Sequence, residues 1–247
     1  MKQTRLLMGM PITVEIVDAD ASAAALDDVY DYLAAVDRRY STYKADSEIS
    51  QINAGLPEAE WSDEMNAVMK LCEQTKQETD GYFDISRGGR RDPSGLVKGW
   101  AIHNAAARLR RRGLQNFYIE AGGDIQPQGH NAAGQPWRVG IRNPFAREEV
   151  VKVVAVTAEG VATSGTYIRG QHVYDPHRPD VPLTEVASLT VIGPNIYDAD
   201  RLATAAFAMG RRGIGWLAAR AGYEAYMIDA QHQASFTSGF DRYVVAA

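Results

Sequence analysis

The sequence predicts an α+β fold, on three observations. Helical periodicities and strand alternations are interspersed along the chain without the regular strand–helix–strand order of a doubly wound sheet. Between residues 137 and 192 short strands follow one another over connections too short for crossover helices, which makes them antiparallel neighbours. The chain has 247 residues, 45% of them hydrophobic and 23% charged, ordinary values for a globular protein. No apolar run approaches the length of a membrane span.

Residues 11–17 alternate as a strand, with Ile12, Val14 and Ile16 on one face. Residues 21–39 carry Leu26, Val29, Tyr30, Leu33 and Val36 at helical spacing. Ser47 to Ser50 begins a short helix that Asn53 and Gly55 stop. Trp61-Ser62-Asp63 opens another, running to about Thr79 with Met65, Val68, Met69 and Cys72 inward. A short strand is expected over 82–85, a helix over 98–112 stopped by Gly113, and a strand over 116–121. Further strands are read at 137–141, 150–157, 160–164, 172–174 and 187–192. A helix from Asp198 to about Met209, a second over 214–220 and a hairpin of 223–229 with 234–236 complete the series. One domain over 1–247 is expected, or two interleaved subdomains.

Composition excludes several classes. The net charge of −5 argues against a general nucleic-acid surface. Arg108, Arg110, Arg111 and Arg112 sit in a last helical turn, where cations complement the dipole, and read as a solvated helix end. Cys72 is the only cysteine, so no intramolecular disulfide or multi-cysteine metal site exists. The first twenty residues lead into a strand and do not read as a secretory leader, so a cytoplasmic location is expected. Oligomeric state is not legible.

Chemistry concentrates in four places. Asp92 to Gly99 (DPSGLVKG) combines a loop shaped by Pro93 and Gly95 with a helix start and the Lys98 charge, a setting that suits an anion but also an ordinary capped helix; it lacks the Walker A spacing. Glu120 to Asp124 (EAGGD) is a strand end and tight turn, in which Asp124 reaches a ligand or closes the turn. Ser164 to Pro176 joins a polar loop to Arg169, His172, Tyr174 and Asp175, with His172 and Tyr174 sharing a strand face. Finally, Asp200 and Thr204 are four apart on one helix face, an oxygen pair of the kind magnesium uses when phosphates complete its shell.

Together these places resemble one family in order and spacing: the ApbE flavin transferases, which move FMN from FAD onto a protein threonine or serine. The resemblance runs through Met8-Gly9, Ser41-Thr42-Tyr43, Ser47-Glu48-Ile49-Ser50 with Asn53, and Phe83-Asp84. It continues through Asp92–Ala101, Ala121–Asp124, Ser164–Tyr167, His172–Pro176 and Asp200–Thr204. It implies a T-fold-like architecture of mixed, largely antiparallel sheets with packed helices. It also implies FAD as bound substrate, a protein acceptor and Mg²⁺.

By the same resemblance Mg²⁺ is held by Asp200, Thr204 and the main-chain carbonyl of Gly95. Tyr43 stacks on the isoalloxazine with Met8 in support. Phe83, Asp84, Lys98, Gly122, Gly123 and Asp124 line the FAD channel, and Ser164, Gly165 and Arg169 complete it. His172 takes or relays the acceptor proton, with Asp175 orienting it or serving only structure. Two departures stand out: only Ile85 to Arg91 (ISRGGRR) link Phe83-Asp84 to the lysine loop, a compact form, and Glu120 replaces the more usual asparagine. Beside protein flavinylation, FAD pyrophosphatase activity and non-catalytic FAD binding remain open.

Overall fold

A computed structural model describes residues 1–165 and 173–245. The strands are β1 (Lys2–Leu7), β2 (Met10–Ile16), β3 (Ser86–Arg87), β4 (Arg90–Arg91), β5 (Phe117–Ala121), β6 (Asp124–Gln128), β7 (Trp137–Asn143), β8 (Ala146–Val156), β9 (Gly160–Gly165), β10 (Val186–Gly193), β11 (Glu224–Asp229), β12 (Ala234–Phe236) and β13 (Val244–Val245). The α-helices are α1 (Ala23–Tyr40), α2 (Glu48–Asn53), α3 (Asp63–Glu78), α4 (Ser94–Arg111), α5 (Ile196–Ala208) and α6 (Arg212–Ala218). Side-chain caps fix the starts of four of them. Ser22, Ser47, Ser62 and Asn195 each accept from the N–H three residues on, worth about 1 kcal/mol apiece.

One sheet of eight strands runs β1-β2-β5-β6-β9-β10-β11-β12, with every neighbouring pair antiparallel. The α+β expectation with largely antiparallel sheets holds. Alternation along the strands feeds two cores, one on each face. Ile12, Val14, Ile119, Ala162, Leu189 and Met227 pack with the helices. Ile125, Val161, Ile192, Tyr226 and Ile228 pack with Trp137, Ile141, Val154 and Val156 of a second sheet, β13-β8-β7. On β11 the switch occurs residue by residue, as a period of two requires.

Several expectations need correction. Residues 82–85 are not a strand, because Thr79 takes their backbone donors: its hydroxyl accepts from Phe83 N (3.0 Å) and its carbonyl from Tyr82 N (3.0 Å). The link that follows is a hairpin, β3–β4, turning at Gly88-Gly89 with φ of 57° and 76°. Helix α4 begins at Ser94, four residues before its expected start, so Gly95 and Lys98 lie inside it. Residues 173 and 174 are not strand, and His172 lies outside the described residues. Helix α5 is capped by Asn195, while Asp198 pairs with Arg201. The arginines at the end of α4 are not simply solvated: Arg108 and Arg112 both reach Asp28 of α1.

Among the described residues no helix is long and apolar enough to cross a membrane. Cys72 is buried on α3, and burial pushes its thiol up to about 12. A thiol reagent near pH 8 is therefore expected to label the native protein only as fast as it unfolds. Rapid native labelling would contradict the packing.

Candidate functional site

The sheet and two helices bring distant segments to one end of the molecule. Ile12 pairs with Ala121, so the Met8-Gly9 turn of β1–β2 and the Gly122-Gly123 turn of β5–β6 project from the same end of the sheet. Both turns have positive φ at both central residues, 53° and 72° in the first and 59° and 95° in the second, the conformation that matches strand twist in two-residue hairpins. Strand β9 ends beside them, because Thr163 N donates to Asp124 Oδ1 (3.0 Å).

Helices α4 and α5 cross directly above. Gly99 permits the approach: a Cβ there would lie 2.6 Å from Asp200 Cβ and 2.7 Å from the Ile196 carbonyl oxygen. Its N–H donates to Asp200 Oδ2 (2.8 Å). Four residues earlier the Gly95 carbonyl receives the Thr204 hydroxyl (3.4 Å). Gln126 of β6 pins the start of α5, its Oε1 accepting from Ile196 N (2.9 Å). Asp200 and Thr204 are thus aimed by the packing of two helices and a strand.

Lys98 occupies the centre. Its Nζ lies 2.5 Å from Asp124 Oδ2 and 3.3 Å from Asp200 Oδ1. Both carboxylates are nearly inaccessible, with 1% and 4% of their side chains exposed. Burial pushes the Asp200 carboxyl up to about 7; Lys98 pulls it down and Asp124 pushes it further up. Replacing Lys98 with Met would leave two buried carboxylates facing each other. Loss of about 3 kcal/mol in stability is expected near pH 8, shrinking at pH values low enough to protonate Asp200. Denaturant titrations at the two pH values would measure it.

A cavity of about 400 Å³ opens beside this cluster, a usual size for a small-molecule site. Of the residues singled out in the sequence, Phe83, Asp84, Gly95, Lys98, Gly122, Ser164, Gly165, Asp200 and Thr204 line it. Asp84 is also paired with Lys76 (2.7 Å). Asp124 and Gly123 do not line it: Asp124 is fully buried and Gly123 is exposed in its turn. Tyr43 is 98% exposed next to the lining residue Thr42, an aromatic ring open to a stacking partner at the rim. Met8 stays in its turn, off the cavity wall. Asp175 is 2% exposed and commits both oxygens locally, to His177 N (2.9 Å) and Arg178 Nε (3.0 Å). Arg169 lies outside the described residues, as His172 does.

Three features escape the sequence reading. Glu120 turns back on its own hairpin, accepting from Gly123 N (2.7 Å), and burial pushes its carboxyl up. Asn53 clamps the backbone of Arg91 from both sides, through Asn53 Nδ2 to the carbonyl (2.9 Å) and Arg91 N to Asn53 Oδ1 (2.7 Å). The β3–β4 hairpin so anchored puts Arg87, Arg90 and Arg91 on the cavity. Only the run of arginines beside Gly-Gly was there to signal it.

Fold and cluster together define an α+β ligand-binding protein whose cavity sets an oxygen-rich wall against basic side chains. The ApbE family model matches residues 8–92 and 87–227, and the chain belongs to that family. It is 31% identical over 158 residues to the FAD:protein FMN transferase of Salmonella typhimurium, covering 60% of this chain and 43% of that protein. For the Vibrio cholerae protein of the same name the values are 33% over 128 residues, 48% and 38%. The chain thus spans less than half the length of these curated relatives. A longer match joins it to the Escherichia coli K12 protein of that name, 25% identical over 275 residues, with 86% and 78% covered. The ApbE protein of Thermotoga maritima shares the fold at a TM-score of 0.87 and 20% identity, covering 100% of this chain and 99% of the other. The flavin transferase ApbE of Vibrio cholerae does so at 0.85 and 23%, covering 98% of each.

Proposed function

We propose that the protein transfers FMN from FAD to a threonine or serine hydroxyl of an acceptor protein, releasing AMP. The observation that carries this reading is the convergence of the Asp200 carboxylate, the Thr204 hydroxyl and the Gly95 carbonyl beside Lys98 at the cavity wall. Family membership supports it, as do the names of the curated relatives.

An oxygen-only set with one carboxylate fits magnesium, which favours carboxylate and phosphate oxygens over nitrogen or sulfur. Asp200, Thr204 and the Gly95 carbonyl would hold it; Gly99 N–H and the helix crossing fix the carboxylate that does so. Bound there, Mg²⁺ supplies neutralisation of charge on the diphosphate and its leaving group. Lys98 adds a second cation on the same wall, stabilising negative charge as it develops. Tyr43 offers the flavin an exposed ring for stacking, while Phe83, almost fully buried, backs the apolar part of the cavity wall.

In the chemical step the acceptor oxygen bonds to the FMN-side phosphorus, the bond to the AMP oxygen breaks, and the hydroxyl proton passes to a base. The family resemblance makes His172 the candidate base, while Asp175, its oxygens held by His177 and Arg178, has a structural role.

Incubation with FAD and Mg²⁺ tests the assignment, with chromatography for AMP and mass spectrometry of a co-purified or candidate acceptor. The expected result is AMP release that requires acceptor and matches an FMN-sized adduct on a threonine or serine. FMN and AMP in equal amounts without acceptor would instead establish a pyrophosphatase. Tight FAD binding with neither product would leave a flavin carrier.

A further inference from the structure

The β3–β4 hairpin carries charge that no carboxylate among the described residues pairs with. Arg87, Arg90 and Arg91 line the cavity, and among the described residues none is ion-paired with a carboxylate. Several other arginines of this acidic chain are ion-paired, among them Arg5, Arg39, Arg108 and Arg201. Arg87 and Arg90 are also direct cross-strand partners. Like charges so placed repel, an arrangement that costs stability unless an anion lies between them.

The hairpin is built to hold these cations still. Asp92 N donates to the Ile85 carbonyl (2.7 Å), closing its base, and Asn53 clamps Arg91. The Arg87 guanidinium lies over the Tyr174 ring (4.5 Å to its centroid) and that of Arg91 over Trp61 (4.9 Å). Tyr174 in turn donates its hydroxyl to the Ser86 carbonyl (3.0 Å). Flat guanidiniums held against rings are preorganised donors, and their fork matches phosphate oxygens. The hairpin leads within a few residues into Gly95, so both line one continuous wall.

We propose that the Arg87–Arg91 hairpin is a phosphate-recognition element that makes the cavity select the diphosphate-bearing flavin over the unphosphorylated one. The proposal rests on the functional reading above for the identity of its ligand. It adds a site to that reading, on residues that take no part in the Asp200–Thr204 cluster.

Equilibrium titrations without divalent metal, following flavin fluorescence, compare FAD with riboflavin on the native protein and on an Arg87→Gln, Arg90→Gln variant. Glutamine keeps most of the stem and removes the charge. FAD affinity is expected to fall about tenfold or more, riboflavin affinity to stay unchanged, and lysines at both positions to restore part of the loss. The native preference for FAD should also weaken with added salt, and the variant's much less. Unchanged FAD affinity would overturn the proposal, including the case in which only labelling of an acceptor slows. An equal loss for both flavins would overturn it too, by making the hairpin a wall rather than a charge reader. ADP serves as an independent probe. If the native protein binds neither flavin, the functional reading fails; ADP binding that the variant loses would still uphold the phosphate site, and its absence would remove that as well.

Discussion

Asp200→Asn is expected to abolish the proposed FMN transfer while leaving the protein as stable as before or more so. The substitution preserves shape and an oxygen that accepts from Gly99 N–H. It removes the only carboxylate of the oxygen set, so turnover should fall about a thousandfold or more. Stability moves the other way for an electrostatic reason. Lys98 faces two buried carboxylates, and asparagine leaves a balanced pair of Lys98 and Asp124. Because the folded protein holds the Asp200 proton more tightly than the unfolded chain does, it binds more protons between the ordinary carboxylate range and about pH 7. Native stability therefore declines as pH rises through that window, and the variant should lack this slope. Activity assays and denaturant titrations across the window would measure both. An active Asp200→Asn protein would sink the metal-site reading.

Gly99→Ala should do the reverse, harming the fold first and the chemistry through it. The added methyl meets the Asp200 Cβ and a backbone oxygen at well under contact distance, and neither is the free end of a flexible chain. The α4–α5 crossing must open, at a cost of about 1–3 kcal/mol or more. Opening it lengthens the Gly99–Asp200 bond and displaces Thr204 from Gly95. A lower melting temperature and weaker divalent-cation binding should appear together. An alanine variant with native melting and native cation binding would show that the helices are not locked at this point.

The parts of the fold legible in the sequence are those in which one period governs burial. Helix α1 was readable because Leu26, Val29, Tyr30, Leu33 and Val36 all face one core. Strand β2 was readable for the same reason on a period of two. Strand β6 was not, since Asp124-Ile125-Gln126-Pro127-Gln128 carries no apolar alternation. Gln126 is buried nonetheless, because its amide is fully used: Nε2 donates to the carbonyls of Pro127 (2.9 Å) and Ala158 (2.7 Å), and Oε1 accepts from Ile196 N. Strand β1, half polar and at the sheet edge, gave no alternation strong enough to score. In the site, motif order located the lining residues, while the reason for Gly99 lay only in a contact between residues about a hundred positions apart.

The hairpin turn at Gly88-Gly89 has a further consequence, for how the site can change without being lost. Its feet are fastened by Asn53 and by the Ile85–Asp92 bond, and its tip is exposed, with open space around both glycines. Length added at such a tip extends away from the molecule and leaves the paired residues in register. The oxygen cluster, on the other hand, lies inside two crossing helices, where an inserted residue would turn Gly95, Asp200 or Thr204 off the shared face. The protein thus sets a tightly packed cluster beside a hairpin tip with room to grow. On the proposed function, variation in what approaches the ligand could accumulate at this one exposed tip while the residues beneath keep their packing.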